Sequence, residues 1–181
     1  MKVILLSGPP GCGKDEVGNY LQDACWARLY KFAEPMKDAL KAMFGYSDEE
    51  LEQAKRDHPE IRAAHIFLAE KVAKPIYGQA YFGVRCAQKV FADRPELAVV
   101  TDCGFQIEAD AFVSYMPGVD IELWQIHRPG YTFDNDSREW VHLSIPGCKN
   151  VKIENTGSLK ELKAEVFKKM FDFSSGGSEN E

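Results

Sequence analysis

The residues best suited to chemistry stand near the start of the chain. Gly8-Pro9-Pro10-Gly11-Cys12-Gly13-Lys14-Asp15 directly follows the apolar run Val3-Ile4-Leu5-Leu6. It reads G-x-x-x-x-G-K, the spacing of a phosphate-cradling loop, with Asp15 where a Ser or Thr is usual. Glycines let the backbone bend round a phosphate and turn its N–H groups inward. The next helix adds the positive end of its dipole, and Lys14 adds a mobile charge for the outer phosphates. Val17, Tyr20 and Leu21 continue at helical spacing, so strand, turn and helix stand in the order such a loop requires. Asp15 has two readings. It is an acid favoured by the dipole in a first helical turn, or a carboxylate that holds Mg²⁺, directly or through water, in place of the hydroxyl. Cys12 reads as a small neutral filler whose oxidation would block nucleotide binding.

A second candidate is Asp102, at the end of the continuous apolar run Leu97-Ala98-Val99-Val100-Thr101. Open α/β sheets place their ligands at strand ends. A carboxylate there either orders Mg²⁺-bound water, accepts a bond from an incoming hydroxyl, or caps a helix. Phosphoryl transfer also needs cations on both partners, and Lys37, Arg62, Arg85, Arg128 and Arg138 are the candidates. Arg128 follows a strand over Asp120–His127 and precedes Pro129-Gly130. The polar stretch 129–147 is either a flap that carries Arg138 over a bound nucleotide or an ordinary surface excursion.

These residues need a frame to hold them. Strands are expected over 2–7, 28–33, 97–101, 120–127 and 151–153. Helices are expected over 14–25, from Pro35 to Gly45, over 47–56, 59–74 and 78–92, over 107–115, and from a Ser158/Glu161 capping box onward. A break falls at Lys74-Pro75. The last helix is expected to bury Leu159, Leu162, Val166, Phe167, Met170 and Phe171. Alternating strands and helices predict an α/β fold with a central parallel sheet in three layers, as a single domain over 1–173. The Ser/Gly/Glu tail 174–181 reads as disordered.

Composition narrows the partners. A net charge of −6 argues against a broad nucleic-acid-binding face, and a local basic pocket for a small acidic metabolite remains compatible with it. Five cysteines without a C-x-x-C pair fit free thiols in a reducing compartment. No apolar stretch approaches a membrane span. The expectation is a cytoplasmic protein.

Five ordered motifs resemble the bacteriophage deoxynucleoside monophosphate kinases. They are Leu6 to Asp15, Phe32 to Leu40, Asp102-Cys103-Gly104-Phe105 with Glu108-Ala109-Asp110, Ile126 to Gly130, and Asn155 to Leu159. The G-K-D loop alone is also similar to that of phosphomevalonate kinases; the ordered set is more specific. The resemblance implies a P-loop nucleoside monophosphate kinase fold and transfer of the γ-phosphoryl group of ATP, with Mg²⁺, to a (deoxy)nucleoside monophosphate. It implies that Gly8, Gly11, Cys12, Gly13, Lys14 and Asp15 hold ATP, with Arg128, Asn155, Thr156 and Gly157 flanking its base. Lys37, Arg62 and Glu108 would face the monophosphate, and Asp102 would stand between the two nucleotides. Lys14, Asp15, Asp102 and Arg128 are then the catalytic set, with Asp15 and Asp102 at the metal. The partner is a small molecule, with a homodimer left open, and a phage-encoded chain would work in its host's cytoplasm.

The chain departs from that pattern on the acceptor side. The family usually shows Asp-x-Arg-Phe at the strand end, where this chain has Gly104. It also tends to show Arg-x-x-Leu-Gln-x-x-Gly-Thr, where Arg62 is followed by Ala-Ala-His-Ile-Phe-Leu-Ala-Glu. Arg85 is the expected replacement for the missing arginine. Two other functions stay open: a kinase of another small metabolite, and a nucleotide-binding protein without turnover.

Overall fold

Both faces of the central strand are apolar, so helices must cover it on both sides. The computed structural model describes residues 1–134 and 136–171, and the tail expected to be disordered lies outside them. Five strands form one parallel sheet: β1 (Lys2–Ser7), β2 (Arg28–Tyr30), β3 (Leu97–Cys103), β4 (Asp120–His127) and β5 (Lys149–Glu154), in the order β2-β3-β1-β4-β5. Leu5 of β1 lies opposite Val100 of β3 on one side and Leu123 of β4 on the other.

The two-residue period of β1 divides the core. Val3 and Leu5 face one layer, with Val90 and Phe82 of α6 (Tyr81–Asp93) and Phe112 of α7 (Gln106–Tyr115). Ile4 and Leu6 face the other, with Val17 and Leu21 of α1 (Lys14–Cys25) and Leu162 and Val166 of α8 (Leu159–Phe171). The result is the expected three-layer α/β fold.

Three expectations shift. β2 stops at Tyr30 rather than running to Ala33, because the next backbone N–H groups turn away from the sheet. Phe32 and Ala33 donate instead to the two carboxylate oxygens of Asp102, at 2.7 and 3.1 Å. That corner starts α2 (Glu34–Phe44), with Pro35 in its first turn. It is followed by α3 (Asp48–Asp57) and α4 (Pro59–Phe67). The break expected at Lys74-Pro75 does not occur there. A π-helical turn over Leu68–Ala73 widens the coil, and the chain runs on into the short α5 (Lys74–Tyr77) until Gly78, at φ 94°. A wider turn accommodates the carbonyl that a proline leaves without a donor. In α8 the Ser158/Glu161 box forms, with Ser158 N donating to Glu161 at 2.7 Å. Leu162 and Val166 are buried, while Leu159, Phe167 and Phe171 stay exposed because only one face of α8 meets the sheet.

The stretch 129–147 divides in two. Val141 and Leu143 are buried in the core, and Asn150 of β5 pairs with both backbone groups of Leu143 at 2.8 and 2.9 Å. In the earlier part the Tyr131 ring lies beside Gly11 of the phosphate loop, Trp140 stacks on His127 at 4.1 Å, and Phe133 meets Trp140 edge-on.

Candidate active site

The loop 8–13 joins β1 to α1 at the strand end of the sheet. Gly13 precedes the helix at φ 109°, where a Cβ would also come within 2.8 Å of the Asn155 amide. That amide is buried and donates to Cys12 O at 2.8 Å, so β5 braces the loop from behind. Lys14 Nζ folds back onto the carbonyls of Gly8 and Pro9 at 2.6 and 2.9 Å. Burial lowers its pKa, and the nearby Arg138 lowers it further, whereas Cys12 and Asp15 favour its charge. Burial raises the Cys12 thiol, which fits a neutral filler. Arg128 donates to Gly11 O at 3.0 Å and lies over the Tyr131 ring at 4.5 Å, placing a flat cation and a ring at the loop's outer edge.

Beside the end of β3 opens a cavity of about 540 Å³. Its lining includes the cations Lys37, Lys55, Arg62 and Arg138 together with the carboxylates Glu52 and Asp136. Lys37 and Lys55 share Glu52, the second at 3.5 Å. Apolar and aromatic side chains, Met36, Phe82 and Phe105, line the same cavity. Lys74 is 5% exposed at this cavity, bonded to Glu70 at 2.6 Å, 3.6 Å from Glu108 and 4.3 Å from the Phe105 ring centre. Burial pushes the Glu108 carboxyl up to about 7, with Asp102 adding to the rise and Lys74 opposing it. α6 and α7 pack so closely that a Cβ on Gly83 would lie 2.0 Å from Glu108 O, which fixes where that side chain starts. His65 is driven down to about 4 by burial and by Lys55, so its ring is neutral at pH 7.

Lys37, Arg62, Asp102 and Glu108 therefore share one cavity. Arg85 does not. It is exposed on α6, donates to Gln88 at 3.1 Å and faces a separate hollow with Lys31, Asp38 and Lys89. The structure places Arg85, the expected replacement for the arginine absent at 104, away from this cavity, and the side-chain stem beside Gly104 is that of Arg138. Asn155 braces the loop through its bond to Cys12 O, and Thr156 and Gly157 are exposed. Lys55, His65 and Lys74 were not singled out from sequence. Lys74 carried no signal there, because a lysine at an apparent helix break has no assigned face.

Among the described residues, no group of three or more His, Cys, Asp or Glu side chains gathers to hold a metal. Asp15 is an exposed carboxylate in the first turn behind Lys14. It suits an ion such as Mg²⁺, whose other ligands are phosphate oxygens and water. Asp102 suits it less, since both its oxygens already accept backbone N–H groups. Burial raises its carboxyl and those two bonds oppose the rise. Among the described residues, no helix is long and apolar enough to cross a membrane.

No protein-family model and no curated protein matches the chain. Solved structures do. The APS kinase of Mycobacterium tuberculosis is 15% identical with a TM-score of 0.50, covering 93% of this chain and 96% of its own. A sugar kinase from Janibacter is 13% identical with a TM-score of 0.52, covering 96% and 95%. A putative kinase from Chloroflexus aurantiacus is 12% identical with a TM-score of 0.51, covering 94% and 96%. With the loop and the sheet order above, these likenesses give the chain the fold of the P-loop kinases.

Proposed function

We propose that the protein transfers the γ-phosphoryl group of ATP to a small phosphorylated acceptor, a (deoxy)nucleoside monophosphate. The observation that carries this reading is the mixed lining of the cavity at the end of β3. Its cations suit a phosphate, and its aromatic side chains with the buried Lys74–Glu108 pair suit a flat ring with a polar edge. Lys14 and the loop N–H groups hold the donor phosphates, while Lys37 and Arg62 hold the acceptor phosphate. An oxygen of that phosphate bonds to the γ-phosphorus as the bond to the β–γ bridging oxygen breaks, and ADP leaves with the electron pair. The attacking oxygen is already deprotonated at pH 7, so no general base is required. This agrees with Asp102 spending its oxygens on the Phe32–Ala33 corner. Mg²⁺, held through Asp15, would neutralise charge on the donor phosphates.

A kinase of another small metabolite is the second reading, favoured by structural neighbours named as an APS kinase and a sugar kinase. Binding separates the two. By calorimetry, a deoxynucleoside monophosphate is expected to bind at least about tenfold more tightly than its parent nucleoside, because charge-assisted bonds are lost with the phosphate. Arg62→Ala and Lys37→Ala should each erase most of that difference. Equal affinity for nucleoside and monophosphate would contradict the assignment.

A further inference from the structure

We propose that Arg138 meets the transferring phosphoryl group, held ready by Asp136 in a space that Gly104 leaves open. This rests on the phosphoryl-transfer reading above, but not on which acceptor is used.

Three observations carry it. The first is the space itself. A Cβ on Gly104 would lie 2.6, 2.8 and 3.0 Å from Cδ, Cγ and Cβ of Arg138. Glycine at 104 is therefore the condition for Arg138 to occupy this place, at the end of the strand that carries Asp102. The second is the anchoring. Glu139 N donates to Gly104 O at 3.2 Å, and the buried Val141 follows, so the backbone on either side of the guanidinium is fixed to the sheet. The third is what the guanidinium faces. It makes a two-pronged pair with Asp136, Nε to Oδ1 at 2.8 Å and Nη2 to Oδ2 at 2.6 Å. It also lies close enough to Lys14 and Asp102 for their charges to act on one another.

A guanidinium has five N–H donors, and Asp136 takes two. The rest have no partner among the described residues and can meet oxygens arriving between the Lys14 loop and the acceptor cavity. Arg138 is thus positioned between the two halves of the site, where charge spreads over the γ-phosphoryl oxygens during transfer. Asp136 holds the side chain oriented through its two-pronged pair. Phosphate oxygens arriving there meet the donors that Asp136 does not take. An Arg–Asp pair of purely structural purpose would need neither the glycine nor the proximity to Lys14.

The test uses the full chain with two readouts. For turnover with Mg-ATP and the monophosphate panel, Arg138→Ala is expected to lose about 10³-fold or more. Arg138→Lys should restore little, because a point charge lacks the planar fork. Gly104→Ala, which keeps Arg138 but displaces it, should lose most of the same activity. The second readout needs no acceptor. By calorimetry, Arg138→Ala should bind ATP roughly tenfold more weakly while ADP binding stays unchanged, as expected for one charge-assisted contact to the γ-phosphate. Unfolding midpoints close to wild type would exclude a damaged fold. If wild type turns over none of the monophosphates, the acceptor reading fails, and the ATP-over-ADP difference still decides for or against Arg138. If Arg138→Ala keeps both that difference and wild-type turnover, the inference is overturned while the acceptor reading stands. Absence of ATP binding by wild type would overturn both.

Discussion

Glu108 and Lys74 show how much of the site lies in single buried charges. Lys74 meets Glu70 of the same helical segment and Glu108 of α7 beside the Phe105 ring, and Asp102 at the end of β3 acts on Glu108 by its charge. A carboxyl with a folded pKa of about 7, above its ordinary 4.5, keeps its proton where the unfolded chain has released it. Raising the pH through that window therefore favours unfolding, by about 3 kcal/mol from this group alone. Glu108→Gln should flatten the fall in stability between pH 4.5 and 7, read from urea midpoints across that range. Parallel profiles for variant and wild type would show that Glu108 is ionised throughout. At this scale the phosphate loop was readable because its chemistry is local: eight consecutive residues carry it. The Lys74–Glu108 pair was not, because it joins residues far apart in sequence and the lysine sits where a proline suggested a break.

Elements explain why the remaining candidates fall where they do. Asp102 reads as an active-site carboxylate from its strand-end position, yet its bonds to Phe32 and Ala33 give it the work of a cap borrowed from another strand. That contact shortens β2 and sets the direction of α2, and so the position of Lys37. Arg85 lay one helix upstream of the strand in sequence, which said nothing of the face of α6 it occupies; the apolar face is taken by Phe82, Cys86, Ala87 and Val90. The stretch 129–147 contains both a polar run and the apolar residues Val141, Leu143 and Ile145, spaced as a strand would space them. Its polar content suggests a surface segment, while the structure buries Val141 and Leu143. Val141→Ala should cost about 2 kcal/mol of stability, from lost burial and an incompletely filled cavity. A surface excursion would lose less than about 0.5 kcal/mol, and a urea titration separates the two. The same variant should lower turnover, because residue 141 helps anchor the backbone that presents Arg138.

For the whole molecule, the alternation of strands and helices was enough to anticipate a parallel three-layer α/β fold. The strand order was not legible, since it depends on which face each crossover helix packs against. Acceptor chemistry was hidden for a related reason: Lys37, Arg62, Lys74 and Arg138 come from α2, α4, α5 and the segment after β4, and only folding brings them to one cavity. A chain of net charge −6 thereby gathers several cations at one cavity, which composition alone does not reveal. The account's central claim is that this cavity and the phosphate loop serve one transfer reaction. The most direct test is ADP release from Mg-ATP against all ribo- and deoxynucleoside monophosphates, with Lys14→Ala as control. The account predicts strong stimulation by one or a few monophosphates, abolished in Lys14→Ala although that variant stays folded. A flat panel, or a Lys14→Ala protein that turns over normally, would contradict it.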